Sequence, residues 1–560
     1  MLAHKVKLRT ALGLVALAAA LSLWNLGDME IQPYDEGYYA LRVKAILQFD
    51  CWLDQTDYAI GGFYSASHPP LQLWLMAISA KLFGLSEFSL RLPSWCAFVG
   101  LLMTVCSLAY RISDRAALFA VIVVGFSPML VWFARLGQFD MLVTLFSAWQ
   151  LLFYMRFLES SRLRDMAIGG IMLGLALLTK VLVGGFAAAA IALHSLYRWA
   201  AKDITFRQFL ASNALFAGFG LGIGLSWFAG ICAAHDGFLE RYVDFYIANR
   251  VQENQTGATY RTGVFYYLNV LIARIPLSAL SLTWIFMFFT TSNFRNSTRV
   301  LWLLSFALPF SILSIAQTKL LWYGLLCLPA TFLIIVESLE VALKNISKQA
   351  TQLAWLAVGL ALVWSATQAW HRGLLVSPEG WKVAVIIAAS ASTAAILYWM
   401  SKRSYFDVIF LTAVALGGAA LSLNTVLNGL PFVQTYSGAK DLNGVVKSLA
   451  PKTIVHLVSE KRFAEKSFNP QFSYYFNGID VDSAKWQSAV SYKYGAVTTA
   501  LSELTGALTE KSRTVIVVEK TATLSEAGIE LVNEFAATST AMGLEKVCEH
   551  GNYVLYRQRE

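Results

Sequence analysis

The sequence predicts a polytopic α-helical membrane protein with a small α/β domain at its C-terminal end. Of its 560 residues, 57% are hydrophobic and only 14% are charged, and the mean hydropathy is +0.55. Soluble domains carry about 25% charged residues, so this composition excludes a soluble protein. The apolar residues form long runs separated by short basic loops, which is the pattern that orients membrane helices. The net charge of +9 is explained by those loops, and no nucleic acid is expected as a partner.

The first apolar run, residues 11–27, predicts an uncleaved membrane helix. A basic segment at residues 4–9 precedes it, as in a signal peptide, but no small-x-small cleavage site precedes Asp28. Basic residues that flank membrane helices stay on the cytoplasmic side. The N-terminus is therefore expected in the cytoplasm, and the residues after the run are expected outside.

The next apolar run, residues 69–85, decides the topology. It begins with two prolines and is shorter than the roughly 20 residues that a spanning helix needs. If the run crosses the membrane, most later basic loops fall outside, whereas an interfacial helix places them inside. The distribution of basic residues favours the interfacial helix.

With that topology, residues 1–430 predict a transmembrane domain of thirteen helices. Its outside face carries the loops 28–90, with interfacial helices, and 235–262. After the first helix, the predicted spans are 91–110, 116–134, 141–157, 166–179, 181–199, 209–234, 264–290, 300–317, 320–340, 351–370, 381–400 and 405–428.

Residues 431–560 predict a small α/β domain. Short β-rich runs at 453–458 and 514–518 alternate with helical stretches. An odd number of crossings places this domain on the outside face. It contains no phosphate-binding Gly-rich loop, metal-ligand spacing or nucleophile motif, which favours a lid or docking domain without chemistry of its own.

An acidic pair, Asp35 and Glu36, follows the first helix and is a candidate for the centre of an active site. Two adjacent carboxylates beside a bilayer are costly to place and useful for chemistry on a membrane substrate. The alternative is a pair of solvated acids just past a membrane helix, and the composition weighs the two equally. His68 stands before Pro69 and Pro70, which would hold it at a defined position as a substrate contact or as a hydrogen-bonded structural residue.

A second acidic residue, Asp140, lies on another outside loop. It follows Arg135, which could pair with Asp140 or with a phosphate. Because Asp140 directly precedes a predicted helix, its role could also be that of a helix N-cap.

Several basic residues fall on the outside face, where the orientation rule predicts few. Lys180 and Lys319 could each simply extend to the membrane interface. Together with the arginines on the same face, they favour binding of an anionic phosphate. The whole set is Arg135, Lys180, Arg250, Arg261 and Lys319.

The order and spacing of several motifs carry a resemblance to a known family. After the acidic pair come His-Pro-Pro-Leu at 68–71, Arg-Leu-Pro at 91–93, Ala-Arg with a following Asp at 134–140, Leu-Thr-Lys at 178–180 and Lys-Leu-Leu-Trp-Tyr at 319–323. Over about residues 10–345 the chain resembles the membrane-embedded GT-C glycosyltransferases of the protein mannosyltransferase and aminoarabinose transferase superfamily. The resemblance implies the GT-C fold.

The resemblance also implies a reaction. The donor would be a sugar on a polyprenyl phosphate, and the acceptor would be lipid A, lipopolysaccharide or a related glycan at the periplasmic side of the bacterial inner membrane. Asp35 would be the catalytic general base and Asp140 the second acidic residue, with direct displacement and inversion at the anomeric carbon. Fixed cations would hold the departing phosphate. The substrate-binding set is Glu36, His68, Arg135, Lys180, Arg250, Arg261, Lys319 and Tyr323.

The chain departs from the aminoarabinose transferases at two places. Those enzymes carry Glu-Lys before the two prolines, where this chain has Ser67-His68. They also carry a loop histidine that is implicated in metal binding, and the equivalent position in this chain falls near Asn249. The sequence therefore predicts no metal-ligating residues and no specific cofactor. It does not decide whether the reaction uses a divalent metal. The same departures weaken aminoarabinose as the sugar and lipid A as the acceptor.

Two other functions are weighed against this one. A protein O-mannosyltransferase-like enzyme is the first alternative, and a transporter of lipid-linked glycans is the second. A transporter would show internal repeats and polar residues near the membrane midplane. The sequence shows no repeat, and its polar residues gather at one membrane face.

Overall fold

A computed structural model of the chain divides into two compact units. The first unit comprises Met1–Trp24, Pro93–Arg135 and Phe139–Phe432, and the second comprises Asn25–Leu92, Leu136–Gln138 and Val433–Glu560. The structure describes residues 2–32, 35–56, 63, 67–248, 263–343, 438–451, 453–458, 474–475, 491–496, 514–519, 533, 535–540, 542–551 and 553–558.

The described part of the chain is mainly helical. Short 3₁₀ turns at Pro276–Leu280, Ser292–Phe294 and Leu321–Cys327 and a π turn at Asp244–Ala248 connect some of the helices. In chain order, the α-helices are α1 (Leu2–Leu23), α2 (Asp35–Phe49), α3 (Leu71–Phe83), α4 (Glu87–Tyr110), α5 (Asp114–Gly125), α6 (Pro128–Ala134), α7 (Phe139–Ser160), α8 (Leu163–Thr179), α9 (Val181–Gly184), α10 (Phe186–Ala200), α11 (Phe206–Gly224), α12 (Ser226–Ala234), α13 (Phe238–Val243), α14 (Tyr266–Arg274), α15 (Ser281–Thr290), α16 (Ser297–Ile315), α17 (Leu328–Leu343) and α18 (Ala439–Leu449).

The chain is a multi-pass membrane protein, but thirteen spans are not confirmed. Among the described residues, six helical segments are long and apolar enough to cross a membrane, and two bent pairs would bring the number to eight. Three predicted spans, at 351–370, 381–400 and 405–428, lie outside the described residues. The six segments are Glu87–Tyr110, Phe139–Ser160, Val181–Ala200, Phe206–Ala234, Ser297–Ile315 and Leu321–Val341.

Prolines account for the two bent pairs. The predicted span 116–134 is divided into α5 and α6, which meet at 62°, with Pro128 as the first residue of α6. The predicted span 264–290 is bent by 113° close to Pro276. Proline lacks the N–H that would continue the helix, so each apolar run is interrupted there.

The helix that follows the two prolines Pro69 and Pro70 is short. The predicted interfacial run 69–85 forms α3, whose 13 residues make it an apolar helix too short to span. Its length agrees with the interfacial prediction.

Small residues bring α8 and α11 into close contact within the first unit. A Cβ atom at Gly170 would lie 2.4 Å from the carbonyl oxygen of Phe216, and one at Gly174 would lie 2.7 Å from Cβ of Ile223. Gly220 and Gly224 of α11 approach Leu173 and Leu177 of α8 in the same way. Glycine contacts of this kind let membrane helices pack closely. They fix the position of α8, which ends one residue before Lys180.

The C-terminal part of the second unit contains a five-stranded mixed sheet in the order β2-β1-β3-β5-β4. The first three strands are parallel, and β5 is antiparallel to β3 and β4. The predicted runs 453–458 and 514–518 are both strands, so the α/β character is confirmed, while the predicted boundary at 431 lies outside the described residues. The strands are β1 (Thr453–Val458), β2 (Ser491–Ala496), β3 (Thr514–Glu519), β4 (Leu544–His550) and β5 (Tyr553–Gln558).

Candidate active site

The acidic pair lies in the second unit, in the first turn of α2. Acidic side chains are favoured there by the positive end of the helix dipole. Asp35 is 7% exposed and Glu36 is fully buried. The alternative of two solvated acids is therefore wrong, because neither side chain faces bulk water.

Glu36 is bound on both carboxylate oxygens. It forms a bidentate ion pair with Arg91, at 2.8 Å to Nε and 3.0 Å to Nη2. It also accepts hydrogen bonds from the main-chain N–H groups of Gln32 at 2.6 Å and Gly137 at 2.7 Å. A buried ion pair is stable only when its remaining hydrogen-bonding capacity is satisfied, as it is here. This geometry gives Glu36 a structural task and adds no support to its predicted contact with substrate.

Gly137 is tightly packed beside Glu36. A Cβ atom built on it would lie 3.0 Å from Cε of Met76 and 3.2 Å from the carbonyl oxygen of Leu90. A side chain at this position would require these neighbours to move by a few tenths of an ångström.

His68 is buried in a hydrogen-bonded group of the second unit. Its Nε2 lies 3.4 Å from the hydroxyl oxygen of Tyr39, and its carbonyl oxygen accepts a hydrogen bond from Arg42 at 3.1 Å. Arg42 also donates twice to Oε1 of Gln55, at 2.8 and 3.1 Å. These contacts match the alternative of a hydrogen-bonded structural histidine, and a role of His68 in substrate binding stays a prediction.

Three predicted site residues meet in the first unit. Nζ of Lys180 donates to Oδ1 of Asp140 at 2.9 Å and lies 5.1 Å from the ring centroid of Tyr323. A cation at that distance from an aromatic ring is attracted by the ring's negative face. The side chains of Lys180 and Asp140 are only 12% and 4% exposed. The charged pair is therefore well shielded from water.

Helix ends and breaks place these three residues. Asp140 is the second residue of α7, so it lies inside the helix and not at the predicted N-cap position before it. Lys180 has an extended backbone, with φ −155° and ψ 100°, between α8 and α9. Tyr323 lies in the 3₁₀ turn Leu321–Cys327. The interruption after α8 thus places Lys180 between two helices, outside regular helical backbone.

The other predicted cations have different surroundings. Lys319 is buried and donates to the carbonyl oxygen of Ala316, and burial lowers the pKa of its ammonium group. Arg135 donates to the carbonyl oxygens of Ser22 at 2.9 Å and Trp24 at 2.5 Å, at the C-terminal end of α1. A cation there satisfies the last carbonyls and the negative end of the helix dipole. Arg250 and Arg261, with Asn249, lie outside the described residues.

No three His, Cys, Asp or Glu side chains converge to form a metal site in the described part of the chain.

Arg91 is the main site residue that the sequence-based set leaves out. Besides Glu36, it binds the carbonyl oxygens of Leu26 at 3.1 Å, Met29 at 2.5 Å and Glu30 at 2.7 Å. A signal was present, because an arginine at the start of an apolar run needs a partner. The sequence could not identify that partner 55 residues away.

Comparison with known proteins gives consistent results. The family described as Dolichyl-phosphate-mannose-protein mannosyltransferase matches residues 67–225. An "Undecaprenyl phosphate-alpha-4-amino-4-deoxy-L-arabinose arabinosyl transferase" from Shewanella sediminis (strain HAW-EB3) is 25% identical over 359 residues, which cover 61% of this chain and 62% of the relative. An uncharacterized protein from Aquifex aeolicus (strain VF5) is 24% identical over 350 residues, covering 61% of this chain and 66% of that relative. Both matches thus span less than two thirds of the relatives' own length.

The fold has well-matching solved structures. The crystal structure of ArnT from Cupriavidus metallidurans bound to undecaprenyl phosphate superposes with a TM-score of 0.66 at 17% identity, covering 98% of this chain and 97% of that one. The apo structure of the same protein gives 0.64 at 16% identity, with the same coverage. The chain therefore has the fold of ArnT over nearly its whole length, and its residues 67–225 are similar to the protein mannosyltransferase family.

Proposed function

We propose that the chain transfers a sugar from a polyprenyl-phosphate donor to an envelope acceptor, lipid A, lipopolysaccharide or a related glycan, at the periplasmic face of the bacterial inner membrane. The observation that carries this proposal is the grouping of Asp140, Lys180 and Tyr323 in a fold shared with a protein solved with undecaprenyl phosphate. The relative from Shewanella sediminis is named for a donor of the same class.

Lys180 is suited to hold the donor's phosphate. Its ammonium group is positively charged, donates to Asp140 and lies beside the ring of Tyr323, so its position is fixed on two sides. In this shielded position, a fixed cation stabilises the negative charge that develops on the leaving phosphate more strongly than it would in water.

Asp35 is proposed as the general base. Its carboxylate accepts the proton of the acceptor hydroxyl, whose oxygen attacks the anomeric carbon. The bond between that carbon and the phosphate oxygen breaks, and the polyprenyl phosphate leaves with the electron pair. The configuration at the anomeric carbon is inverted. Asp35 lies in the first turn of α2, and a carboxylate is the group that this step needs.

A protein acceptor is the second candidate function. The family that matches residues 67–225 is described as a protein mannosyltransferase. The chemistry at the donor would be the same, so only the acceptor distinguishes the two enzymes. A transporter of lipid-linked glycans would bind the donor without breaking the sugar–phosphate bond.

The test is sugar transfer in membranes supplied with a panel of radiolabelled polyprenyl-phosphate sugars. Wild type is compared at equal expression with Asp140→Asn and with Glu159→Gln, which removes an acid at the other end of α7 where Glu159 pairs with Arg111. We expect transfer by wild type and Glu159→Gln and a loss of about 100-fold in Asp140→Asn. Label in glycolipid supports a glycan acceptor, label in protein supports the mannosyltransferase alternative, and label retained on the donor in every sample contradicts both.

A further inference from the structure

The described part of the C-terminal region contacts the segment that leads into Asp35, and both belong to the second unit. The hydroxyl group of Tyr475 accepts a hydrogen bond from the main-chain N–H of Ile31 at 3.0 Å and donates one to Oε1 of Glu87 at 2.8 Å. Tyr475 is only 9% exposed. Burial and the neighbouring acid Glu87 raise the pKa of its hydroxyl group, so it stays protonated and remains a donor.

The preceding residue, Tyr474, contacts the chain on the other side of Asp35. Its carbonyl oxygen accepts a hydrogen bond from Nζ of Lys44 at 3.1 Å, and the same ammonium group lies 5.5 Å from its ring centroid. Lys44 is part of α2, the helix that Asp35 begins. The two tyrosines therefore hold both the segment before Asp35 and the helix after it.

A third contact joins Glu30 to the start of α18. Its carboxylate accepts hydrogen bonds from the N–H groups of Gly438 and Ala439 at 3.1 Å and of Lys440 at 3.2 Å. Free N–H groups at a helix start are a favourable environment for an anion. Burial raises the pKa of Glu30, and these N–H groups lower it, so the charged form depends on them.

Gly438 is required for this arrangement. Its φ of +105° is a conformation that side chains with a Cβ rarely adopt, and a Cβ atom would lie 2.0 Å from the carbonyl oxygen of His550. The strand end at His550 and the start of α18 are thus packed together without room for a side chain. The sheet of the C-terminal region thereby supports the N–H groups that bind Glu30.

The same segment is held from its other side by Arg91, which binds the carbonyl oxygens of Leu26, Met29 and Glu30. Three carbonyl groups of the segment therefore bind Arg91, a residue of α4, while the N–H group of Ile31 and the side chain of Glu30 bind the C-terminal region. A segment bound on both sides has little freedom to move. Removing one set of bonds should loosen it.

We propose that the C-terminal domain positions Asp35 for the reaction, with Tyr475 and Glu30 as positioning residues that fix residues 28–32. The inference rests on the proposed function, since it assigns Asp35 a task that depends on its orientation. It replaces the sequence-based expectation of a lid or docking domain with a specific part in the reaction. Neither Tyr475 nor Glu30 contacts the substrate in this account.

Hydrogen exchange tests the contact without requiring activity. In the purified full-length protein, the Tyr475→Phe variant lacks the acceptor for the Ile31 N–H, and we expect peptides covering 26–36 to exchange about tenfold faster. Tyr556→Phe is the matched control, because Tyr556 packs on Phe535 in the sheet, at 5.4 Å between ring centroids. Equal exchange in Tyr475→Phe and wild type would overturn the proposal. Glu30→Gln tests the same segment from its other contact if Tyr475→Phe does not fold.

Steady-state kinetics test the consequence for the reaction. A positioning role predicts that Tyr475→Phe lowers kcat about tenfold while KM for the polyprenyl-phosphate sugar changes less than about twofold. A domain that merely stabilises the fold would lower the amount of active enzyme equally in the Tyr556→Phe control. Faster exchange with unchanged kcat would overturn the positioning role. If wild type transfers no sugar, the proposed function fails, while the exchange experiment still decides whether the segment is held.

Discussion

At the residue scale, the proposed function gives Lys180 two tasks. It neutralises the nearly buried carboxylate of Asp140, and it would hold the donor's phosphate. Loss of one partner leaves a buried charge without its counterion, which destabilises proteins by about 3–5 kcal/mol. A simple loss of activity in a single variant would therefore not separate the two tasks.

The double variant Lys180→Met with Asp140→Leu separates them. We expect Lys180→Met alone to lower the melting temperature in detergent and to abolish binding of polyprenyl phosphate. Adding Asp140→Leu removes the unpaired carboxylate and should restore most of the melting temperature without restoring binding. Recovery of phosphate-lipid binding in the double variant would show that Lys180 does not bind the donor.

The buried ammonium group of Lys44 predicts a dependence of stability on pH. Burial, together with the nearby charge of Lys447, lowers the pKa of Lys44 from 10.5 to about 8. The folded state thus holds this proton less tightly than the unfolded state, so the contribution of Lys44 to stability rises as pH increases from about 8 to about 10.5. Below pH 8 both states are protonated and the contribution is constant and unfavourable.

This dependence is measurable by comparison with Lys44→Met. The melting temperature of wild type, relative to that variant, should rise between pH 8 and pH 10 and stay level from pH 6 to pH 7.5. The variant has no titrating group at this position, so other ionisations cancel in the difference. Parallel melting curves over the whole range would show that the ammonium group of Lys44 is not penalised by burial.

At this scale the sequence identified residues better than their partners. Asp140, Lys180 and Tyr323 were each predicted as site residues, and the structure brings them together. Glu36 was also predicted, but its partner Arg91 is 55 residues away in sequence, and the pairing depends on the tertiary fold. Composition and spacing show that a charge needs a partner. They do not show which partner the fold supplies.

At the scale of the elements, the glycine contacts between α8 and α11 determine where Lys180 lies. Gly170→Leu should force α8 away from the main chain of Phe216, because its Cβ atom would already lie 2.4 Å from the carbonyl oxygen. We expect the free energy of unfolding to fall by about 1–3 kcal/mol, as is typical of overpacking, with a lower melting temperature and weaker binding of polyprenyl phosphate. Gly218→Leu in α11 is the matched control, since a Cβ atom there meets nothing within 4 Å.

Equal melting temperatures and binding for Gly170→Leu and Gly218→Leu would contradict this account of helix packing. The sequence shows the glycines but not their partners, since Gly218 and Gly220 are both in α11 and only Gly220 contacts α8. Apolar periodicity likewise located the long helices but missed the bends near Pro128 and Pro276. A proline signals an interruption without giving its angle.

At the scale of the whole molecule, the positive-inside rule predicts on which side of the membrane each loop lies. Asp236 and Glu159 are both exposed, and between them the chain passes through α8, through α9 and α10, and through α11 and α12. Cysteine at position 236 should be labelled by a membrane-impermeant maleimide in intact spheroplasts, and cysteine at 159 only after permeabilisation. The opposite pattern would place the proposed active site on the cytoplasmic side.

The fold class and the resemblance to the superfamily could be recognised from the sequence because they depend on composition and on short motifs in a fixed order. The number of spans could not be established in the same way, since hydropathy does not separate a spanning run from one that is broken or lies in the interface. The positioning role that we propose for the C-terminal domain also could not be predicted from the sequence. Glu30, Tyr474 and Tyr475 are ordinary residues in sequence, and their importance comes only from contacts made across more than 400 positions.

The most direct test of the central claim is the rate of sugar transfer by Asp35→Asn at saturating polyprenyl-phosphate sugar. The substitution keeps the size of the side chain and removes its ability to accept a proton. We expect kcat of Asp35→Asn to fall about 100-fold or more, while its binding of polyprenyl phosphate stays unchanged. The control Glu159→Gln should transfer sugar at the wild-type rate. Transfer by Asp35→Asn at the wild-type rate would contradict the account, because the acceptor would then be activated by another group.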